Sequence, residues 1–145
     1  MVKIFLNKGK ESSLKRFHPW VFSGAVNKIE GNPVEGEVVE VYSKSGEYLG
    51  CGHYQIGSIT VRILSFEKCS IDAEFWYSRL MAAFNARASL GLTSSESTNC
   101  YRLVHGEGDF LPGLIIDIYN KTAVIQAHSA GMFLSKDAIA QALKR

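Results

Sequence analysis

The chain has 145 residues and a formal net charge of +2, and its length suits one ordinary domain or two small ones. Hydrophobic residues make up 46% and charged residues 21% of the chain, a balance typical of soluble globular proteins. No apolar run reaches the roughly 18 residues of a membrane helix. The lysine-rich N-terminus lacks the apolar core of a secretory signal, so the sequence predicts a cytoplasmic protein with no membrane partner.

Apolar alternation predicts a first strand over residues 2–6, followed by a basic turn at residues 7–10. Ser12 or Ser13 is expected to cap a short helix that runs through Phe17 and stops before proline. Turn signals separate the remaining strands, which favours antiparallel pairing and a small, mostly β barrel. These strands are expected over residues 21–29, with an interruption at Gly24, and over residues 37–42, 48–54 and 59–66.

The second part of the chain begins with the clearest helix. Asp72 is a suitable N-cap, Trp76, Leu80, Phe84 and Ala88 recur at steps of four, and Gly91 provides a stop. Arg79 and Arg87 lie on its polar face, where solvated side chains are expected. A polar linker follows at 93–99, then a strand at 101–104 and a glycine-rich loop at 105–113. The rest of the chain is predicted to form a hairpin at 114–128 and a helix from Met132, with Ser129 or Ser135 as its cap. A hairpin with one helix buries little core, so this α+β unit is expected to be incomplete.

Positive charge is concentrated near the start of the chain. Through Lys28 there are six basic residues against the single acid Glu11, a balance of +5, whereas the remaining residues carry −3. A basic segment on an otherwise mildly acidic protein is typical of a polyanion-binding protein.

The basic segment leads into residues 16–24, which read Arg-Phe-His-Pro-Trp-Val-Phe-Ser-Gly. RNA-binding proteins combine cations for phosphates with flat rings for unpaired bases, which is the mixture found here. The alternative is that the rings are core residues, the commoner role of aromatic side chains in a small domain. The predicted RNA contacts are Lys8, Lys10, Lys15, Arg16 and His18, with Trp20 or Phe22 as a stacking surface and most of the rings holding the barrel together.

Three other groups of residues are candidates for chemistry. Alternating His105, Glu107 and Asp109 could bind a metal or shuttle protons, although acidic residues in glycine-rich turns more often cap backbone amides. The glycines of this loop precede a strand rather than a helix, which excludes a dinucleotide loop. Cys51, Cys69 and Cys100 form no Cys-x-x-Cys pair, so we expect free, mostly buried thiols and neither a disulfide framework nor a metal site.

Several longer motifs resemble one family. They are Lys-Gly-Lys-Glu at residues 8–11, the aromatic stretch at 16–24, Tyr-Arg-Leu-Val-His-Gly-Glu-Gly-Asp at 101–109, Leu-Pro-Gly-Leu at 111–114, and Asp117. In this order and spacing the chain resembles the front half of bacterial methyltransferases that modify cytosine C5 in 23S ribosomal RNA. Phe110 stands where that family usually has glycine, and Ile118 where arginine is common.

The resemblance implies an α+β fold in two parts. Residues 1–70 would be a PUA domain, an RNA-binding β pseudo-barrel, and residues 73–145 an incomplete intermediate domain consisting of a helix, a hairpin and a further helix. The S-adenosylmethionine (SAM) loop, the catalytic segment and the nucleophilic cysteine motif of the family are missing, so no catalytic or cofactor-binding residue is expected in this chain. The complete protein would use SAM, and its partner would be ribosomal RNA.

The expected function is therefore to position ribosomal RNA for a methyltransferase domain outside this chain. The alternatives are a stand-alone RNA-binding or assembly module without methyltransferase activity, and a small hydrolase built on His105, Glu107 and Asp109. A homo-oligomer formed through the incomplete C-terminal unit is a further hypothesis.

Overall fold

Six strands from the first part of the chain form one curled sheet in the computed structural model, which describes residues 1–145. The strand order is β2-β6-β5-β4-β1-β3. β1 is antiparallel to β3 and parallel to β4, and the other neighbours are antiparallel. The strands are β1 Lys3–Leu6, β2 Trp20–Phe22, β3 Val26–Glu30, β4 Val38–Tyr42, β5 Tyr48–Tyr54 and β6 Ile59–Ser65. A short helix, α1 (Ser12–Lys15), and a 3-10 turn, Ser23–Ala25, complete this part.

The sheet closes around a single apolar core because alternate residues of each strand point inward. Ile4 and Leu6 of β1 are fully buried, as are Val39 and Val41 of β4. β5 and β6 approach closely at Gly52, where a Cβ atom would lie 2.0 Å from the carbonyl oxygen of Arg62. Only glycine fits at that crossing.

A later segment of the chain belongs to the same compact unit. Unit 1 consists of Met1–Ser70 together with Ser129–Gly131. The Ala130 amide donates a hydrogen bond to Gln55 Oε1 at 3.2 Å, and Gly131 lies against the buried His53 ring. Burial, together with the charge of Arg62, lowers the pKa of His53 to about 4, so His53 is neutral in the folded barrel at neutral pH.

Unit 2 consists of Ile71–His128 and Met132–Arg145. Its three-stranded sheet has the order β7-β8-β9, and both strand pairs are antiparallel. Asp72 caps the long helix α2 by accepting a hydrogen bond from the Phe75 amide at 3.0 Å. The elements are α2 (Ala73–Ser89), β7 (Cys100–His105), a 3-10 turn at Gly106–Asp109, β8 (Leu114–Tyr119), β9 (Thr122–Ala127), α3 (Ala130–Leu134), which begins in unit 1, and α4 (Lys136–Lys144).

Several local predictions were wrong. Glu11, rather than either serine, occupies the N-cap position of α1, and α1 ends at Lys15 rather than at Phe17. The predicted helix from Met132 is instead two helices, α3 and α4, and Ser135 at the start of α4 makes no capping hydrogen bond. Two of the three cysteines, Cys69 and Cys100, are exposed.

The buried face of α2 also differs from the steps-of-four prediction. Trp76 and Leu80 are buried as expected, but the next buried residue is Ala83, whereas Phe84 is 38% exposed. Mixed steps of three and four keep side chains on one face of a helix with 3.6 residues per turn, whereas steps of four alone drift away from it. None of the four helices combines the length and the apolar composition that a bilayer crossing requires.

Candidate nucleic-acid interface

The predicted RNA-binding stretch lies at the end of α1 and the start of β2. The helix stops because Phe17 adopts a left-handed backbone conformation, with φ of 63°, and the His18 amide returns to the carbonyl of Ser13. The Pro19 carbonyl then accepts a hydrogen bond from the Ile63 amide at 2.7 Å, which aligns β2 with β6. The chain therefore leads from α1 directly into β2, an edge strand of the sheet, which carries Trp20 and Phe22.

Most of the rings lie at the surface rather than in the core. Val21 is buried, and the flanking Trp20 and Phe22 point to the opposite face of β2, where Trp20 is half-buried and Phe22 is 48% exposed. Phe17 is 66% exposed and packs edge-on against Phe66. The prediction that most rings hold the barrel together was therefore wrong, because in a three-residue edge strand only the central side chain faces the core.

His18, Trp20 and Phe22 form a cluster, which we call the aromatic cluster. The ring centroids of His18 and Trp20 are 5.9 Å apart, and those of Trp20 and Phe22 are 6.1 Å apart, both in edge-to-face arrangements. His18 Nδ1 accepts a hydrogen bond from the Trp20 amide at 3.3 Å, so the neutral imidazole carries its proton on Nε2. The cluster offers ring faces and one imidazole N–H donor.

The aromatic cluster borders a surface cavity of about 490 Å³. The residues that line it include Trp20, Phe22, Lys10, Ser12 and Ser13. Gly24 also lines it, and a Cβ atom there would meet nothing within 4 Å. Aromatic, hydroxyl-bearing and basic residues around one cavity are the residue types that hold an unpaired nucleotide.

The predicted basic residues differ in whether a carboxylate compensates their charge. Lys8 and Lys10 lie exposed in the turn after β1, with no carboxylate within ion-pairing distance. Arg16 is also exposed and donates a hydrogen bond through Nε to the Ser12 carbonyl. Lys15 instead pairs with Glu47 at 2.9 Å, and this contact raises the pKa of Lys15. Lys15 therefore lies beside a compensating charge that sequence spacing could not reveal.

A second, smaller cavity lies beside the same basic turn. It has a volume of about 300 Å³, and Lys8 and Lys44 line it together with Glu11, Ser43 and Ser45. Lys44, in the turn between β4 and β5, was not among the predicted contacts. The barrel fold brings it close to Lys8, which is far away in sequence.

The acidic, glycine-rich segment of unit 2 is held by arginines. His105, Glu107 and Asp109 do not share the face of an extended segment, because Gly106–Asp109 is a 3-10 turn. Both carboxylate oxygens of Asp109 accept hydrogen bonds from Arg87, and one also accepts the His105 amide at 2.6 Å. The interpretation of Arg87 as a solvated residue was therefore wrong. Asp109 thus has the structural role predicted for an acidic residue in a glycine-rich turn, which is to accept hydrogen bonds from backbone amides.

A second arginine supports the neighbouring strand pair. Arg102 on β7 binds both carboxylate oxygens of Asp117 on β8, at 2.8 and 3.2 Å, and this contact lowers the pKa of Asp117. Phe110 follows the turn with φ of 58°, in the left-handed region that glycine occupies without strain. The left-handed backbone explains why the resembled family favours glycine at that position.

The barrel resembles a known family of domains. Residues 4–66 match the family model described as PUA-like domain, and the matched range begins in β1 and ends just after β6. Over residues 4–66 the chain is similar to PUA-like domains. The predicted α+β fold with a PUA-type barrel is confirmed.

Sequence relatives extend the similarity beyond the PUA-like domain. A ribosomal RNA large subunit methyltransferase I from Aeromonas hydrophila is 41% identical over 97% of this chain, and one from Photobacterium profundum is 45% identical over 97%. Each match covers 36% of the relative, so the chain spans about a third of the length of the curated relatives it matches. The resemblance seen in the motifs is confirmed.

Solved structures share the fold of the whole chain. A Streptococcus mutans protein described as a candidate SAM-dependent methyltransferase has a TM-score of 0.84 and 21% identity, over 99% of this chain and 37% of that one. Another, described as a candidate methyltransferase complexed with SAH, has a TM-score of 0.85 and 21% identity, over the same shares. At this identity the likeness establishes fold.

Proposed function

We propose that the PUA-like domain binds ribosomal RNA through the aromatic cluster and the basic residues around it. The observation that carries this proposal is the cavity of about 490 Å³, which is lined by Trp20 and Phe22 together with Lys10, Ser12 and Ser13. Lys8, Lys10 and Arg16 supply phosphate contacts, and His18, Trp20 and Phe22 supply stacking. Lys15 contributes less, since Glu47 already compensates its charge.

Within a longer protein, this chain would be the RNA-holding N-terminal part of a SAM-dependent methyltransferase acting on cytosine C5 of 23S ribosomal RNA in the cytoplasm. Residues 1–70 would form its RNA-binding domain and residues 73–145 the first part of an intermediate domain. The names of the sequence relatives and the one-third coverage support this proposal.

The glycine-rich segment of this chain does not fit SAM. A SAM or dinucleotide loop places a glycine turn between a strand and the N-terminus of a helix. Here Gly106 and Gly108 lie in a 3-10 turn between β7 and β8, and Asp109 in that turn is already bound by Arg87. We therefore assign the cofactor to the remainder of the longer protein and no step of methyl transfer to these residues.

Binding of a single-stranded 23S rRNA segment to this chain tests the interface. Lys10→Gln should weaken binding and reduce the salt dependence of log K by about 0.7, the value for one lost phosphate contact on a single strand. Lys15→Gln is the matched control, because it removes the same charge from an ion pair and should change the salt slope less. Equal effects of the two substitutions would refute the proposed interface.

Transfer of labelled methyl groups from SAM to 23S rRNA tests the enzymatic part of the proposal in the full-length protein. We expect label in cytosine, and reduced labelling at limiting RNA concentrations for Lys10→Gln. RNA binding without any methyl transfer by the full-length protein would refute the methyltransferase proposal and support a stand-alone RNA-binding module.

A further inference from the structure

A second group of rings crosses the outer face of the barrel, away from β2. Phe5 of β1 is paired in register with Tyr42 of β4, and Tyr42 is paired with Tyr48 of β5. The Phe5 and Tyr42 rings stack with centroids 5.4 Å apart and an interplanar angle of 24°, and Tyr42 meets Tyr48 edge-on at 5.5 Å. We call these three rings the aromatic row.

The aromatic row faces outward because of strand alternation. Ile4 and Leu6, on either side of Phe5, are fully buried, so Phe5 points away from the core. Phe5 and Tyr42 are half-buried, as expected for rings that lie on a sheet surface. Burial raises the pKa of Tyr48, whose ring supports Tyr42 from the side.

A lysine lies over each ring of the row. The Nζ atom of Lys28 is 4.9 Å from the Phe5 ring centroid, that of Lys3 is 5.5 Å from the Tyr42 centroid, and that of Lys68 is 6.0 Å from the Tyr48 centroid. The three lysines come from β3, β1 and the segment after β6, so the curled sheet alone brings them together. Ammonium groups above neighbouring rings match the alternation of phosphates and bases in a single strand.

Two carboxylates lie close to these lysines. Glu30 pairs with Lys28 at 2.8 Å and compensates part of its charge, as Glu47 does for Lys15. Lys68 has no carboxylate within ion-pairing distance, so its charge is the least compensated of the three. Glu40 accepts the Tyr42 hydroxyl at 2.9 Å and fixes the orientation of that ring.

The aromatic row lies on strands whose following turns carry basic residues of the proposed interface. Tyr42 directly precedes Ser43 and Lys44, which line the smaller cavity with Lys8. Lys8 is separated in the basic turn by one residue from Lys10, which lines the larger cavity. Because β1 and β4 are parallel, the turns that follow them, which carry Lys8, Lys10 and Lys44, leave the sheet at the same end.

We propose that the aromatic row is a second single-stranded RNA contact of the barrel, on which bases stack against Phe5 and Tyr42 while Lys3, Lys28 and Lys68 bind phosphates. The proposal rests on the proposed function, and it extends the RNA path around the barrel from β2 to β3. It predicts a longer footprint than the aromatic cluster alone would have.

Fluorescence anisotropy with a labelled oligouridylate of about 12 nucleotides, within the site-size range of small single-strand-binding folds, tests this surface. Tyr42→Leu, which removes a stacking ring but keeps an apolar side chain, should weaken binding about tenfold. Tyr42→Phe keeps the ring and should bind as the parent protein does. Lys68→Gln should lower the salt slope by about 0.7. Lys136→Gln is its control, because Lys136 also lies over a ring, that of Phe133 at 4.2 Å, but belongs to unit 2.

The outcomes separate the two proposals. Parent-like binding by both Tyr42→Leu and Lys68→Gln, together with weakened binding by Lys10→Gln, would overturn the aromatic row and leave the proposed function standing. No binding by the parent protein would refute the proposed function itself. If Tyr42→Leu does not fold, ultraviolet crosslinking of the parent protein decides. RNA attached to the peptides containing Phe5 or Tyr42 supports the surface, and attachment confined to residues 8–22 overturns it.

Discussion

Replacing Arg87 by methionine should destabilise unit 2 strongly. Arg87 binds both oxygens of Asp109 and donates through Nε to the Arg102 carbonyl at 3.0 Å, so one side chain connects α2, β7 and the 3-10 turn. The side chains of Arg87 and Asp109 are only 16% and 9% exposed. The substitution keeps most of the apolar stem but leaves a nearly buried carboxylate without its cation.

The expected loss is about 3 kcal/mol, at the lower end of the range for breaking a buried ion pair, because Asp109 retains the hydrogen bond from the His105 amide. Arg145→Gln is the matched control in the same unit. Its pair with Glu74 has side chains that are 55% and 67% exposed, so its loss should cost much less stability than the loss of Arg87.

Urea unfolding followed by tryptophan fluorescence measures both changes. The chain has two tryptophans, Trp20 in unit 1 and Trp76 in unit 2, so a Trp20→Phe background reports on unit 2 alone. Equal losses of stability for Arg87→Met and Arg145→Gln would refute the argument from burial. A double substitution of Arg87→Met with Asp109→Asn should recover part of the loss, since it also removes the unpaired charge.

Two further expectations concern unit 1. The pKa of His53 is about 4 in the folded chain, whereas its ordinary value of 6.5 applies to the unfolded chain. The unfolded chain therefore binds more protons between these two pH values. About 3 kcal/mol of stability should be lost as the pH falls from 6.5 to 4. Thermal unfolding across this range should show the loss, and a parent-like pH profile for His53→Gln would contradict the assignment. Gly52→Ala should cost about 3 kcal/mol because its Cβ would overlap a carbonyl oxygen. Gly24→Ala, with open space around it, should change stability by less than about 0.5 kcal/mol.

Local signals predicted most of the elements and the β8–β9 hairpin, but not the strand order of the barrel or its parallel β1–β4 pair. Alternation located the strands of the barrel, and Asp72 marked the start of α2, because both patterns are properties of neighbouring residues. The predicted serine cap of α1 was wrong because Glu11 already occupies the N-cap position in a helix of only four residues. Short helices are determined by their surroundings more than by their own residues.

The sequence likewise predicted the residue types of the candidate interface but not their long-range contacts. The sequence showed that rings and cations are mixed near the start of the chain, and the structure places Lys8, Lys10 and Trp20 around neighbouring cavities. The pairing of Lys15 with Glu47 depends on contacts between distant segments, which no local pattern encodes. The same is true of the register that aligns Phe5 with Tyr42.

The parallel pairing of β1 with β4 has a consequence for synthesis of the protein. β1 is made first, yet its neighbours β3 and β4 are made later, and β2 must wait for β6. Such non-local closures slow folding, whereas the β8–β9 hairpin of unit 2 joins strands made one after the other. Until residue 42 has left the ribosome, the apolar side chains of Ile4 and Leu6 belong to a nascent strand whose parallel partner is incomplete. The barrel cannot close until β6, which ends at Ser65, has been made, and its apolar strands stay open to aggregation until then.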